Sequence, residues 1–143
     1  MKTIYSRQGI ISKTTVKDDY ILLQTVDCIF HLPLTTEILH GGDGERRTVD
    51  ELKKGDHFIN YFSHGQHVLV MKEQDDYFGV ISGVYDAEKK MVDHALIMRV
   101  DAHKTKHLGA PLQNGSNVLA FCQMMTASLP PQATPTTLFV FKP

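Results

Sequence analysis

The sequence lacks tryptophan, has two cysteines among 143 residues, and contains no long uninterrupted apolar run. Cys28 and Cys122 form no Cys-x-x-Cys zinc motif, and each lies in an apolar stretch, so we expect two buried free thiols rather than a disulfide. No segment approaches the ~20 apolar residues that a membrane-spanning helix needs. These shortages disfavour a disulfide scaffold, a zinc finger and a helical membrane protein.

The net charge is also small, with a formal value of −1 at pH 7. Such a chain has no overall field that would attract nucleic acid or acidic lipid. A hydrophobic fraction of 42% with 22% charged residues is typical of a folded globular protein. No apolar run follows Lys2, so we expect a cytoplasmic protein as the sequence stands, or an extracellular one if an export signal has been removed.

A repeated pattern is the strongest feature that is present. Residues 52–62 and 112–122 both read Leu-x-x-Gly, then two polar residues, then an apolar run. Residues 9–12 (Gly-Ile-Ile-Ser) are echoed by residues 79–82 (Gly-Val-Ile-Ser). Because both matches occur in the same order, the sequence predicts a duplicated unit.

The acidic break Glu73-Gln74-Asp75-Asp76 marks the predicted boundary, with a first β repeat over residues 1–73 and a second over residues 77–143. The predicted fold class is all-β, with two tandem small OB-like barrel or sandwich repeats and one short helical turn in the first. Each repeat alone is close to the size at which a core becomes marginal. We therefore expect one cooperative unit or a homodimer.

The helical turn is predicted from a capping box that joins Thr48 and Glu51. Gly55 stands where a left-handed helix cap would fall. We expect one turn over about residues 49–54, with Leu52 held in the core.

The remaining apolar runs predict strands. The longest, residues 20–32, is interpreted as a strand that Pro33 ends, because proline cannot donate to a ladder. The Gly-rich residues 41–44 are interpreted as a loop, since the Lys-Ser/Thr of a phosphate-binding loop is missing, and residues 101–111 as a polar loop. The other predicted strands cover residues 56–62, 67–72, 95–100 and 138–141.

The C-terminal segment carries a family resemblance. Residues 125–132 read Met-Thr-Ala-Ser-Leu-Pro-Pro-Gln before a final apolar strand, and residues 52–56 read Leu-Lys-Lys-Gly-Asp. This order resembles small β-barrel domains of secreted or surface proteins of Gram-positive bacteria, some of which accompany copper amine oxidase N-terminal-like domains. The first half departs from the pattern, because residues 67–72 stand where the Pro-Pro segment would be.

The resemblance implies a small OB-like or related barrel. Those domains have no established activity, so the resemblance implies no catalytic residue. It also leaves open whether the chain is exported.

Histidine is the most frequent residue type with reactive chemistry, at eight copies. His57 and His67 lie on a predicted hairpin, with His64 in its turn, and could share a metal across the strands. Solvated loop histidines are the simpler interpretation, so we assign no metal ligand and expect no cofactor. The other candidates for a metal site are His94, His103, His107, Met98, Met124 and Met125, although methionine more often fills core gaps.

Nucleophilic chemistry finds little support. Cys122 lies in a predicted strand without an activating neighbour, and Ser128 has no Gly-x-Ser-x-Gly elbow. We assign no catalytic residue and favour a protein that is not an enzyme.

Nucleic-acid binding needs a basic groove with exposed aromatic side chains. Here the aromatic residues Phe58, Tyr61, Phe62 and Phe121 are predicted to be in the core. The basic clusters are Arg46-Arg47, Lys53-Lys54 and the group Lys104, Lys106 and His107. We therefore predict a non-catalytic binding or protein-interaction module, with an unknown protein or small molecule as its ligand and unknown binding residues. The alternatives are a nucleic-acid-binding OB-like protein and a metal-binding protein.

Overall fold

The computed structural model describes residues 3–72 and 78–143, and over these residues the protein is all-β with one 3-10 turn at Val49–Glu51. The predicted all-β class and the short helical turn are therefore confirmed, whereas the predicted boundary at residues 73–76 lies outside the described residues. No helix in these two ranges is long and apolar enough to cross a bilayer.

The described residues contain fourteen strands, numbered in chain order. The strands are β1 Tyr5–Ile10, β2 Lys13–Val16, β3 Tyr20–Gln24, β4 Ile29–Pro33, β5 Glu37–His40, β6 His57–Ser63, β7 Gln66–Lys72, β8 Val80–Asp86, β9 Met91–Val92, β10 Leu96–Met98, β11 Lys106–Gly109, β12 Asn117–Phe121, β13 Gln132–Ala133 and β14 Thr137–Val140.

The strands form open sheets. The first half holds a four-stranded sheet, β1-β6-β7-β5, and a three-stranded sheet, β2-β3-β4. The second half holds one seven-stranded sheet in the order β11-β14-β12-β8-β9-β10-β13. Within the described ranges no sheet closes on itself, so the halves have layered open sheets and the barrel alternative is not observed.

Both halves contain the same four-stranded arrangement. In the first, β1 pairs antiparallel with β6, β6 antiparallel with β7, and β7 parallel with β5. In the second, β8, β12, β14 and β11 pair in this order and with the same strand directions. The Leu-x-x-Gly turns also match, because the N–H of Gly55 donates to Ile11 O at 2.7 Å and that of Gly115 donates to Tyr85 O at 2.8 Å.

Strand alternation divides the apolar residues among three cores. In β6, Phe58 faces a first outer core under the sheet β2-β3-β4, whereas Ile59 and Tyr61 face a central core. In β12, Val118 faces a second outer core, and Leu119 faces the central core. The two main sheets therefore pack face to face through the central core, which contains Leu39, Ile59, Tyr61, Val68, Val70, Leu108, Leu119, Phe121, Phe139 and Phe141.

The helical turn is shorter than predicted but otherwise as expected. The N–H of Thr48 donates to the Glu51 carboxylate at 2.8 Å, which is one half of the predicted capping box. Leu52 follows the turn and is only 9% exposed. Gly55 has a φ of +95°, the left-handed conformation that favours glycine.

Two predictions about strands are wrong. Residues 20–32 form the hairpin β3–β4 rather than one strand, because the Thr25 hydroxyl accepts the N–H of Cys28 and donates to Asp27, which stabilises a turn. Residues 101–111 are not only a loop, since β11 lies in them and pairs with β14. The strand predicted at residues 138–141 is present as β14, which lies between β11 and β12.

The predicted echo between Gly9 and Gly79 does not match the strand register. Gly9 lies in β1 opposite Phe58, whereas Gly79 precedes β8. The residue opposite Val118, which is the counterpart of Phe58, is Gly83. Both strand glycines leave room for a packed side chain, from Thr25 in the first half and Asp93 in the second, so tertiary packing selects glycine at these positions.

Candidate functional site

A cleft of about 420 Å³ opens on the outer face of the first four-stranded sheet, beside the part that the sheet β2-β3-β4 covers. Side chains from four strands converge there, from β1, β4, β6 and β7. The lining residues are Tyr5, Ser6, Arg7, Phe30, Asn60, Phe62 and His67.

Strand register explains why these residues meet. Directly opposite residues in an antiparallel pair have their side chains on the same face. Tyr5 is opposite Phe62, and Arg7 is opposite Asn60. Phe62 is in turn opposite His67. The cleft is therefore a continuous patch of cross-strand neighbours rather than a chance gap between loops.

The cleft combines one cation with aromatic walls. The Arg7 guanidinium carbon lies 5.6 Å from the centroid of the Phe30 ring, a cation–π distance. Arg7 is exposed and forms no ion pair with the described part of the chain. A free guanidinium over an apolar wall is suited to a carboxylate that sits beside an apolar group.

The opposite side of the cleft is polar but neutral. The Asn60 amide lies 3.2 Å from His67 Nδ1, and the rings of His67 and Phe62 are 4.7 Å apart. Burial lowers the pKa of His67 below its ordinary value, so this imidazole is mainly uncharged at neutral pH. The cleft therefore presents a single positive charge, from Arg7, and additional hydrogen-bonding groups.

The corresponding positions in the second half are apolar. Ile81 is opposite Ala120, in the register that Arg7 and Asn60 have in the first half. The next pair is Gly79 with Cys122, whose N–H donates to Gly79 O at 2.8 Å. The same sheet geometry is thus built without an arginine or an asparagine.

The histidine pair proposed for a metal does not form. His57 is opposite Lys72 and His67 is opposite Phe62, so the two lie at opposite ends of the hairpin. His64 occupies the turn with a φ of 50°. In the described ranges no group of three His, Cys, Asp or Glu side chains comes together that could hold a metal ion. His94 lies in the turn after β9, His103 lies in a turn over residues 102–104, and His107 Nε2 lies 2.6 Å from Ala110 O.

The sulfur and hydroxyl candidates also lie apart. Met98 is a core residue at 1% exposure, but Met124 and Met125 are 82% and 52% exposed, so the expectation that methionines fill the core is wrong for these two. Cys122 is buried, as predicted, and burial raises its pKa to about 11, so it carries little thiolate. The Ser128 hydroxyl donates to Pro130 O at 3.0 Å.

In the first basic cluster, both arginines lie beside carboxylates. Arg46 forms an ion pair with Glu37 at 2.5 Å, and Arg47 lies 3.8 Å from Glu45. The predicted core positions of Phe58, Tyr61 and Phe121 are confirmed, at 0%, 6% and 0% exposure. Phe62, the fourth predicted core aromatic, instead lines the cleft.

The Gly-rich loop joins the halves. Asp43 O accepts hydroxyl hydrogen bonds from Thr136 at 3.2 Å and Thr137 at 2.7 Å. Partial burial opposes ionisation of the Asp43 carboxylate, but the Glu45 N–H and the His40 imidazole outweigh it, and the pKa is lowered. The contacts of this loop are therefore structural, because they connect the first half to the second.

Five cleft residues were not identified from the sequence, namely Tyr5, Ser6, Arg7, Phe30 and Asn60. The segment Tyr5-Ser6-Arg7-Gln8 was not predicted to be a strand, because an edge strand that is solvated on both faces shows no apolar alternation. The available signal was Asn60, a polar residue in the middle of an otherwise apolar run.

Comparison with known proteins adds no relative: no family model, no curated protein and no solved structure matches this chain. The resemblance to small β-barrel domains therefore stays a prediction.

Proposed function

We propose that this protein is a non-catalytic binding module, and that the cleft binds a protein segment in which a carboxylate accompanies an apolar side chain. The observation that carries the proposal is the pair Arg7 and Asn60, which occupies the register position of Ile81 and Ala120 in the second half. In the second half this register position is apolar and β13 lies beside β10, whereas in the first half Arg7 is exposed and forms no ion pair with the described residues. This difference supports a role of Arg7 in binding.

The chemistry of the lining supports a carboxylate ligand. Arginine binds carboxylates in a two-pronged geometry, and the Phe30 ring below it excludes water from one side. Phe62 and Tyr5 provide apolar surface within the same cleft. Shallow clefts of mixed aromatic and basic character are common in protein recognition, where tyrosine and arginine contribute strongly to affinity.

We also infer that the two halves descend from one duplicated unit. The shared strand order and the matched hydrogen bonds of Gly55 and Gly115 support this origin. On this view the first copy acquired polar residues on its outer face, while the second kept an apolar face.

Selection from a random heptapeptide display library tests the proposed function. We expect the enriched peptides to contain an acidic and an apolar residue, and to bind with micromolar affinity in fluorescence anisotropy. The variant Arg7→Gln is expected to weaken binding about tenfold, or about 1.4 kcal/mol. The matched control is Arg99→Gln, which removes an exposed arginine of the second half and leaves affinity unchanged. If no peptide is enriched, or if both variants bind equally well, the proposal is wrong.

A further inference from the structure

We propose that the ligand binds as an added β-strand, in which an extended segment of a partner protein pairs with the free edge of β4 and becomes the fourth strand of the sheet β2-β3-β4. This inference rests on the proposed function, because it concerns the same cleft. It adds the backbone conformation of the ligand and the spacing of its side chains.

The second half already contains the equivalent strand pairing within its own chain. There β10 is not an edge, because β13 pairs with it in parallel, with Ile97 beside Gln132 and Met98 beside Ala133. The N–H of Ile97 donates to Pro131 O at 2.9 Å, and the N–H of Arg99 donates to Ala133 O at 2.9 Å. Ala133 thereby packs into the second outer core.

Strands β4 and β10 occupy equivalent places. In β4, Phe30 is opposite Leu23 and both face the first outer core. In β10, Leu96 is opposite Val92 and both face the second outer core. His31, the residue after Phe30, therefore corresponds to Ile97.

Within residues 3–72, the first half has no strand at the position of β13. The turn between β6 and β7 consists of His64 and Gly65, whereas residues 122–136 connect β12 to β14 and include β13. In the second half, Ala133 belongs to the same core as Ala120 and Cys122. The equivalent position in the first half, beside Asn60 and Phe62, is the cleft. The cleft is thus a vacant strand position in one copy that the other copy fills with its own chain.

The edge of β4 has the backbone groups that strand addition needs. The N–H of Leu34 donates to Asp19 O at 3.2 Å, which places Leu32 and Phe30 in hydrogen-bonded pairs with β3. By alternation, the N–H and C=O groups of Ile29 and His31 point away from β3. In the sheet order of the described chain nothing lies beyond β4. Pro33 has no N–H and limits the edge at one end.

Alternation also fixes the side chains of the ligand. Every second residue of the added strand faces the cleft, where one meets the Phe30 and Phe62 rings and the next lies within reach of Arg7. We therefore expect an apolar and an acidic residue separated by one position. The crossover of a second copy of this chain does not fit, because residues 122–136 contain no Asp or Glu. A different protein is thus the assigned partner.

Hydrogen exchange on the complex with the best peptide from the display selection tests the strand. On saturation, we expect the amides of Ile29 and His31 to exchange at least about tenfold more slowly, while those of Phe30 and Leu32 do not change. Protection of Ser6 and Gln8 instead, on the free edge of β1, would place the strand elsewhere and overturn the inference.

Two variants at one position isolate the backbone donor. His31→Pro removes the N–H that faces away from β3, and His31→Ala keeps it while also losing the stacking of His31 on Tyr20 at 4.3 Å. We expect His31→Pro to weaken binding at least about tenfold and His31→Ala less than about threefold. If His31→Pro does not fold, N-methylation of successive peptide residues replaces it, and the loss of affinity should alternate along the peptide.

The outcomes separate this inference from the proposed function. Peptides that depend on Arg7 but not on the His31 N–H, and that protect neither Ile29 nor His31, would refute strand addition and leave the binding function intact. Failure to enrich any peptide would refute both. A concentration-dependent dimer that His31→Pro abolishes would show that a second copy is the occupant, and would overturn the assigned partner.

Discussion

Burial determines which side chains of this protein are available for chemistry. Cys122 is 4% exposed and Ser63 fully buried, so these polar or ionisable groups act on stability. Arg7 is exposed although it lies in a sheet, and no described group neutralises it. At the residue scale, function is therefore expected where a polar side chain is exposed without a structural partner.

The Cys122 thiol predicts a loss of stability at alkaline pH. Its folded pKa is raised to about 11 from an ordinary value of 9.0, so between these values the unfolded thiol ionises and the folded thiol does not. Stability is therefore present below about pH 9 and is lost as the pH rises toward 11, by about 2–3 kcal/mol. Urea unfolding at pH 8 and pH 10.5 measures the loss, which should be smaller in Cys122→Ala than in the wild type. Equal losses in the two proteins would contradict this origin.

The buried hydrogen bond between the halves predicts a second effect at this scale. Asn117 Nδ2 donates to Ser63 Oγ at 3.0 Å, and Asn117 Oδ1 has no partner. Ser63→Ala leaves the amide donor unpaired, so we expect a loss of about 1–3 kcal/mol in the free energy of unfolding. The double variant Ser63→Ala with Asn117→Leu should recover part of that loss in urea denaturation. A further loss in the double variant would show that the amide has another role.

At the scale of elements, close packing over a strand decides where glycine is required. A Cβ added to Gly83 in β8 would lie 2.2 Å from the Asp93 side chain, whose carboxylate accepts the N–H of Val84 at 2.7 Å. This carboxylate follows β9 and holds it against β8. The edge of β4, by contrast, has no cover in the described chain, so it is open to a partner.

Gly83→Ala is therefore expected to destabilise the protein by about 1–3 kcal/mol, because Asp93 must move and release the Val84 N–H. Combining it with Asp93→Ala should cost less than the sum of the single changes, since the second change makes room for the methyl group. Thermal unfolding of the four proteins measures the coupling, and Ser82→Ala in the same strand is the control. Strict additivity would mean that the two residues do not interact.

At the scale of the whole molecule, the central core makes the halves interdependent. Each main sheet has one face in an outer core and the other in the central core, where Leu119 and Val70 are completely buried. If either half were alone, this apolar face would be exposed to water, so the structure favours one cooperative unfolding transition. The homodimer considered from the sequence stays a prediction.

Phe121→Leu tests this coupling, because Phe121 belongs to the second half and is completely buried in the central core. We expect a loss of about 1–3 kcal/mol. Amide signals from residues 3–72 and from residues 78–143 should disappear at the same, lower urea concentration. A shift confined to the second half would show that the halves unfold independently.

Local patterns in the sequence were sufficient for the all-β class, for the helical turn before Leu52 and for the two Leu-x-x-Gly turns. Each of these depends on a few neighbouring residues: β-branched runs, a capping box, and a glycine with positive φ. The hairpin at residues 20–33 was missed because its turn is stabilised by side chains of Thr25 and Asp27 inside an apolar run.

The cleft could be found only in three dimensions, because Arg7, Phe30 and Asn60 are distant in sequence and meet through the pairing of β1 with β6 and the packing of β4 over them. The difference between the halves is also tertiary: a two-residue turn leaves the strand position beside β4 empty, and a longer crossover fills the one beside β10. Sequence alone determined the all-β class and the strands that have a clear apolar run, since these depend on local sterics and alternation. Tertiary structure decided which strand edges remain free, since that depends on the length of connections and on what packs across them.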